Sequence, residues 1–194
     1  MKGGLVPVGA TRVRGYVFRA LMGYAEERFG SLAVERMLEK ADLPSQGAYT
    51  AVGHYPVEEL IALADALCAV SEVARKEILI ASGRRAMPYV IEMQAQNSKA
   101  PTSLETILAS LQDLIHTNLE KLYPGSISPI FAFDVAEDGW AEISYRSQCP
   151  LADLAEGLIL GILDYMATTT DVVREDLAPF DGHAARFRVK LPAS

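Results

Sequence analysis

The hydrophobic pattern of this 194-residue chain changes period once, near Pro124-Gly125, and that change limits the fold more than any other feature. Before it, apolar residues recur at three and four positions, the spacing of one helix face; beyond it they alternate, the spacing of a strand. Val17, Phe18, Leu21, Met22, Ala25 and Phe29 make the first helical stripe, which Gly30 stops. A second short helix is expected over 31–41, closed by Leu43-Pro44. The stretch 55–70 opens with Tyr55-Pro56 and carries Glu58 and Glu59 in its first turn, where the helix dipole favours negative charge. Its stripe is Leu60, Ile61, Leu63, Ala64, Leu67 and Cys68. A further helix is expected over 71–82, then a less regular stretch to Asn97. The clearest helix is expected over 103–122, with Ser103 as N-cap and Leu104, Ile107, Leu108, Leu111, Ile115, Leu119 and Leu122 in one stripe. His116 falls on the flank of that stripe.

After Gly125, Pro129–Val135 and Trp140–Ser147 alternate apolar and polar, joined by Ala-Glu-Asp-Gly, which reads as a hairpin. Residues 151–167 return to a helical stripe of Leu151, Leu154, Ala155, Leu158, Ile162, Tyr165 and Met166. Two more strands are expected, over 170–175 and 183–191, the second alternating as Ala185, Phe187, Val189, Leu191. Helices followed by hairpin, helix and strands give an α+β domain: a helical part over about 13–122 and a sheet part over about 123–191, with an antiparallel sheet of about four strands. The length suits one domain.

Composition excludes several classes. The balance of 25 acidic against 18 basic residues argues against nucleic acid, whose phosphates want a basic footprint. No run of about 18 apolar residues spans a membrane. The N-terminus has too broken an apolar stretch for a secretory signal. Two cysteines, Cys68 and Cys149, make no disulfide framework, so a reducing, cytoplasmic setting is expected. The three histidines, His54, His116 and His183, are too few for most all-protein zinc sites. A mean hydropathy of +0.14 is high for an acidic chain and points to a large apolar interior with room for a ligand.

Two constellations could carry chemistry. A single histidine facing an apolar gap, as His116 does, is the least a protein must contribute to a haem, because the porphyrin supplies four nitrogens. The alternative is a half-buried histidine satisfied by a carbonyl or by Gln112. The second is the run Tyr145-Arg146-Ser147-Gln148-Cys149. If the strand continues through it, Tyr145, Ser147 and Cys149 share one face, and two hydroxyls at i and i+2 could hold a carboxylate; the alternative is an ordinary solvated strand end. Cys68 reads as a packed core thiol, and His54 and His183 as surface or loop residues. The acidic pairs Glu26-Glu27 and Glu58-Glu59 read as solvated helix positions. There is no nucleophile elbow, phosphate loop or HExxH motif, so the chain is not expected to be an enzyme.

In order and spacing, these features resemble the haem nitric oxide/oxygen-binding (H-NOX, HNOB) family, the bacterial relatives of the soluble guanylate cyclase sensor domain. Leu111-Gln-Asp-Leu-Ile-His-Thr-Asn-Leu-Glu-Lys-Leu-Tyr-Pro124 is similar to the family's proximal helix, with His116 at the iron ligand's place. Pro129, thirteen residues later, matches the proline that presses on the porphyrin. Tyr145-Arg-Ser-Gln-Cys149 falls where the family carries Tyr-x-Ser-x-Arg, and Tyr49-Thr-Ala-Val-Gly-His-Tyr-Pro-Val-Glu-Glu-Leu60 is typical of bacterial members. The resemblance runs over residues 13–191, with 1–12 as an extension.

The resemblance implies a haem b sensor of nitric oxide and carbon monoxide. Tyr145, Ser147 and residue 149 would hold the haem propionates, and Pro129 would distort the ring. Val17, Leu21, Ala86, Leu154 and Leu158 would line the gas side. Leu154 stands where dioxygen-binding members carry a tyrosine, so dioxygen should be excluded. It further implies that gas binding loosens the His116 ligation and rotates the helical part against the sheet part. The signal would pass to a separate protein such as a histidine kinase or a cyclic-dinucleotide enzyme. One departure stands out: Cys149 replaces the arginine whose guanidinium would pair with the propionates. Arg14, Arg19 or Arg84 could serve instead. The departure also leaves a second reading open, a haem-free small-molecule-binding or interaction module of the same fold.

Overall fold

The computed structural model describes residues 11–95, 103–112, 129–136 and 138–192. Strand β1 (Arg12–Arg14) leads directly into α1 (Gly15–Phe29), followed by α2 (Ser31–Ala41). Strand β2 (His54–Pro56) returns antiparallel to β1, pairing Arg14 with His54 and Arg12 with Pro56. Helices α3 (Val57–Ser71), α4 (Arg75–Ala95) and α5 (Leu104–Ala109) complete the helical part. The sheet part consists of β3 (Ile130–Val135), β4 (Trp140–Arg146), α6 (Ala152–Tyr165), β5 (Val172–Asp176) and β6 (Ala184–Lys190). The four strands form an antiparallel sheet in the order β3-β4-β6-β5. The α+β class with a sheet of four strands is as expected.

The alternation seen in sequence is the burial pattern of the sheet. Ala141, Ile143 and Tyr145 of β4 are buried, facing Val189, Phe187 and Ala185 of β6 and Val135, Phe133 and Phe131 of β3 in register. At the hairpin, Gly139 sits at φ +75, in the left-handed region a tight turn requires, and donates its N–H to Ala136.

Helices α4 and α6 cross face to face, and small residues set the distance. A Cβ on Gly157 would lie 2.1 Å from the Ile80 carbonyl oxygen, and one on Gly83 2.4 Å from that of Leu154. The backbones therefore touch, which buries Ile78, Leu79, Met87 and Ile91 of α4 with Ala155, Ile159 and Ile162 of α6. At the start of α6, Arg174 of β5 is enclosed by Asp153 (2.6 Å), Glu156 (2.7 Å) and Asp176 (2.6 Å), tying the helix to the sheet edge.

Several elements differ from expectation. The region read as a short helix and an irregular stretch is one helix of 21 residues, with Pro88 inside it. Proline there removes the N–H that would bond the Arg84 carbonyl. Tertiary packing carries the helix through: Gly161 of α6 lies against that carbonyl, close enough that a Cβ would meet it at 2.6 Å. The helix expected over 103–122 opens as predicted, with Ser103 Oγ accepting from the Thr106 N–H. It is interrupted at Ser110 before Leu111 and Gln112, and 113–122 lies outside the described residues. Strand β4 stops at Arg146, so Ser147 and Cys149 lie beyond its last residue. Thr11 and Arg12, read as part of an extension, belong to the fold: Thr11 is buried and its carbonyl accepts from Val57 N.

Two polar residues read as solvated are interior. His54 is 8% exposed, on β2 under β1. Glu59 is 7% exposed; its carboxylate accepts from the Ser45 hydroxyl and from Tyr49 Oη at 2.8 Å, clasping the 42–53 connection to α3. Burial and the nearby carboxylate push the Tyr49 phenol well above its ordinary pKa. No described helix is long and apolar enough to cross a membrane.

Candidate functional site

The two parts of the molecule meet along a cleft, and each wall comes from an element already placed. Val17 faces it from α1; Leu151, Leu154, Ala155 and Leu158 face it from the stripe of α6 and the residue before that helix. Phe131 and Tyr145 stand side by side on the sheet floor, ring centroids 5.2 Å apart, with Pro129 and Ser147 at the strand ends. Thr11 to Arg14 of the β1 segment, with Tyr16, complete the described lining. The space among these residues and out to the mouth of the cleft, open solvent included, is about 650 Å³.

Its polar groups are few and confined. Burial drives the Tyr145 phenol above its ordinary pKa, so it keeps its proton at physiological pH. The Ser147 hydroxyl and the Leu151 backbone oppose that rise, as groups near the phenol at this end of the cleft. Ser147 is itself fixed: its N–H donates to the His183 carbonyl at 2.8 Å, and its Oγ accepts from Cys149 N at 3.0 Å. That last bond turns the chain after β4 and explains why Cys149 follows the bend into Leu151 instead of the strand face. Tyr16, buried and raised to about 12, lies between the cleft and a shallow groove bounded by Arg19, Arg85, Ala86 and Tyr89.

Six sequence-derived candidates thus line one cleft: Pro129, Tyr145, Ser147, Val17, Leu154 and Leu158. Three others do not. Leu21 is fully buried one turn further along α1, Ala86 borders the separate groove, and half-buried Cys149 packs against the core without reaching the cleft lining. His116 lies outside the described residues. Arg19 also borders the groove, and Arg84 forks onto Asp164, with Nη2 2.6 Å from Oδ1. Of the three alternative cations, Arg14 alone lines the cleft among the described residues. Sequence reasoning missed Phe131, Leu151 and Ala155 as lining residues, although cross-strand pairing with Tyr145 and the α6 stripe mark them. It missed Arg12 because β1 is three residues long, too short to show a period.

Over residues 14–174 the chain matches the model of the haem-NO-binding (HNOB) family. The chain belongs to that family. Among solved structures, the Fe(II) unliganded H-NOX protein from K. algicida is similar at a TM-score of 0.78 and 20% identity, over 93% of this chain and 97% of that one. The H-NOX protein from S. oneidensis in its Fe(II)NO state has a TM-score of 0.78 at 17% identity, over 93% and 99%. The IWP-051-bound H-NOX from Shewanella woodyi in its Fe(II)CO state has a TM-score of 0.72 at 29% identity, over 92% and 94%. Among curated proteins none matches the chain.

The chemistry of the cleft fits the group its family binds. A haem is flat, apolar over both faces and anionic at one edge. The HNOB cleft offers aliphatic and aromatic walls, hydroxyls on Tyr145 and Ser147 and guanidinium groups on Arg12 and Arg14, with no carboxylate among its described lining.

Proposed function

We propose that this chain is a haem-based gas sensor. It binds nitric oxide and carbon monoxide on the cleft side walled by Val17, Leu154 and Leu158, excludes dioxygen, and signals in the cytoplasm to a separate protein. His116 is the proposed iron ligand; Tyr145 and Ser147 are the proposed carboxylate contacts, and Pro129 presses on the ring. Bound ferrous haem would supply an iron with one open coordination position for a diatomic gas.

The observation that carries this reading is the bond between Gln112 and the sheet floor of the cleft. Gln112, four residues before His116, accepts the Phe131 N–H through Oε1 at 2.6 Å, and Phe131 and Pro129 both line the cleft. The remaining roles follow from side-chain chemistry. Leu154, Leu158 and Val17 have no hydrogen to donate, and bound dioxygen, which carries partial negative charge, gains most from a donor. The Tyr145 hydroxyl stands near Ser147 and the Leu151 backbone, at the proposed carboxylate end of the cleft. Because α1 and β1 belong to one part and the sheet and α6 to the other, a change in cleft width alters their mutual angle. That is a route to a partner such as a histidine kinase or a cyclic-dinucleotide enzyme.

The test is absorption spectroscopy of the reduced, haem-loaded chain without air, beside His116→Ala. A Soret band that shifts with nitric oxide and carbon monoxide but not with dioxygen, and is lost in the variant, is the expected result. That Cys149 carries no guanidinium favours a second reading, a haem-free small-molecule-binding or interaction module of the same fold. Haem that washes off the wild type as readily as off His116→Ala would decide for it.

A further inference from the structure

Two guanidinium groups in the cleft lining belong to neither the family motif nor the apolar stripe. Arg12 and Arg14 stand two residues apart on β1, the spacing that puts side chains on one face of a strand, and both line the cleft. We propose that Arg12 and Arg14 are the cationic anchor for the carboxylate edge of the ligand, in place of the guanidinium that residue 149 does not provide. The inference rests on the haem reading of the cleft and names the residues that would select an anionic porphyrin.

Three observations support the assignment. First, pairing with β2 fixes the strand, and Arg12 Nη1 donates to the His54 carbonyl at 2.9 Å, so its guanidinium is held in place. Second, both residues are half-buried, where a charge pair is less screened than in open water. Third, the charge is felt inside. Arg14 favours the ionised form of the Tyr16 phenol, and both arginines disfavour the charged form of His54.

A guanidinium paired with a carboxylate is directional and charge-assisted, so removing both should act on the ligand's charge and leave its apolar contacts intact. The experiment titrates the haem-free full-length chain with two probes: haem, and haem dimethyl ester, whose carboxylates are capped. Wild type, Arg12→Gln/Arg14→Gln and Arg12→Lys/Arg14→Lys are compared, with folding checked by circular dichroism. The wild type should bind haem more tightly than the ester. The Gln pair should weaken haem binding about tenfold or more while changing ester binding less than about twofold, and the Lys pair should retain most of the haem preference.

Loss of both probes equally in the Gln pair would make the arginines structural and overturn the proposal, as would no loss of either. A wild type that binds the ester as tightly as haem overturns it without any variant. Haem binding that is retained while this discrimination fails leaves the sensor reading standing. A wild type that takes up neither porphyrin brings down both.

Discussion

Leu154 and His54 show what single side chains contribute. Leu154 is buried on the cleft face of α6, bracketed by Leu151 and Leu158, and gives that wall no hydrogen-bond donor. Leu154→Tyr places a phenol within that stripe, on the cleft face. The expected outcome is a haem-loaded variant that gains a stable dioxygen spectrum while still binding carbon monoxide, checked by air exposure of the ferrous form. His54 bears on stability. Burial, then the charges of Arg14 and Arg12, lowers its pKa from 6.5, so the folded state holds it neutral more strongly than the unfolded chain does. Its contribution is fully present above the unfolded pKa and is lost as pH falls from there through the folded pKa, because the unfolded chain then binds the extra proton. Urea midpoints should therefore fall on acidification below about pH 6.5, and His54→Gln should flatten that limb. The sequence left this histidine among loop residues, because a strand of three residues carries no period that would reveal its burial.

At the scale of elements, the crossing of α4 and α6 is the contact on which the cleft wall depends. Gly157 presents its bare backbone to Ile80, so a methyl group there must push the helices apart or distort one of them. Gly157→Ala should destabilise the fold by about 1–3 kcal/mol in chemical denaturation, although alanine is the better helix former and the same change on an exposed helix face would stabilise. Because Leu154 and Leu158 flank that glycine, the variant should also weaken porphyrin uptake. Pro88 belongs to the same crossing. From sequence it ends a helix; in the fold α4 continues through it, since the burial of Met87, Val90 and Ile91 outweighs one lost hydrogen bond. The bend after Arg146 is likewise a relation between elements. Ser147 bonds outward to His183 and back to Cys149, and this aims Leu151 at the cleft.

For the molecule as a whole, a ligand held between the helical and sheet parts joins them, so binding and folding are linked. Haem in hundredfold excess over its dissociation constant should add about 2.7 kcal/mol to the unfolding free energy. The increment should appear as a higher melting temperature in the wild type and shrink in His116→Ala. Much of this architecture was legible beforehand. The switch of period near Pro124 separates the helical part from the sheet part. The alternation of β3, β4 and β6 named the buried face of the sheet, and the stripe containing Leu154 and Leu158 named a wall of the cleft. These are properties of one element at a time: period follows from backbone geometry, and burial of one face selects apolar residues at that period. The rest belongs to pairs of elements distant in sequence. That α6 approaches the Arg84 carbonyl left open by Pro88 depends on Gly161; that Arg12 and Arg14 line the cleft depends on β1 meeting β2; that the chain bends after β4 depends on Ser147 bonding to Cys149 and His183. Local periodicity records that a face is covered, whereas a close approach between two backbones is settled by the shape and charge of both, and those meet only when the chain is folded.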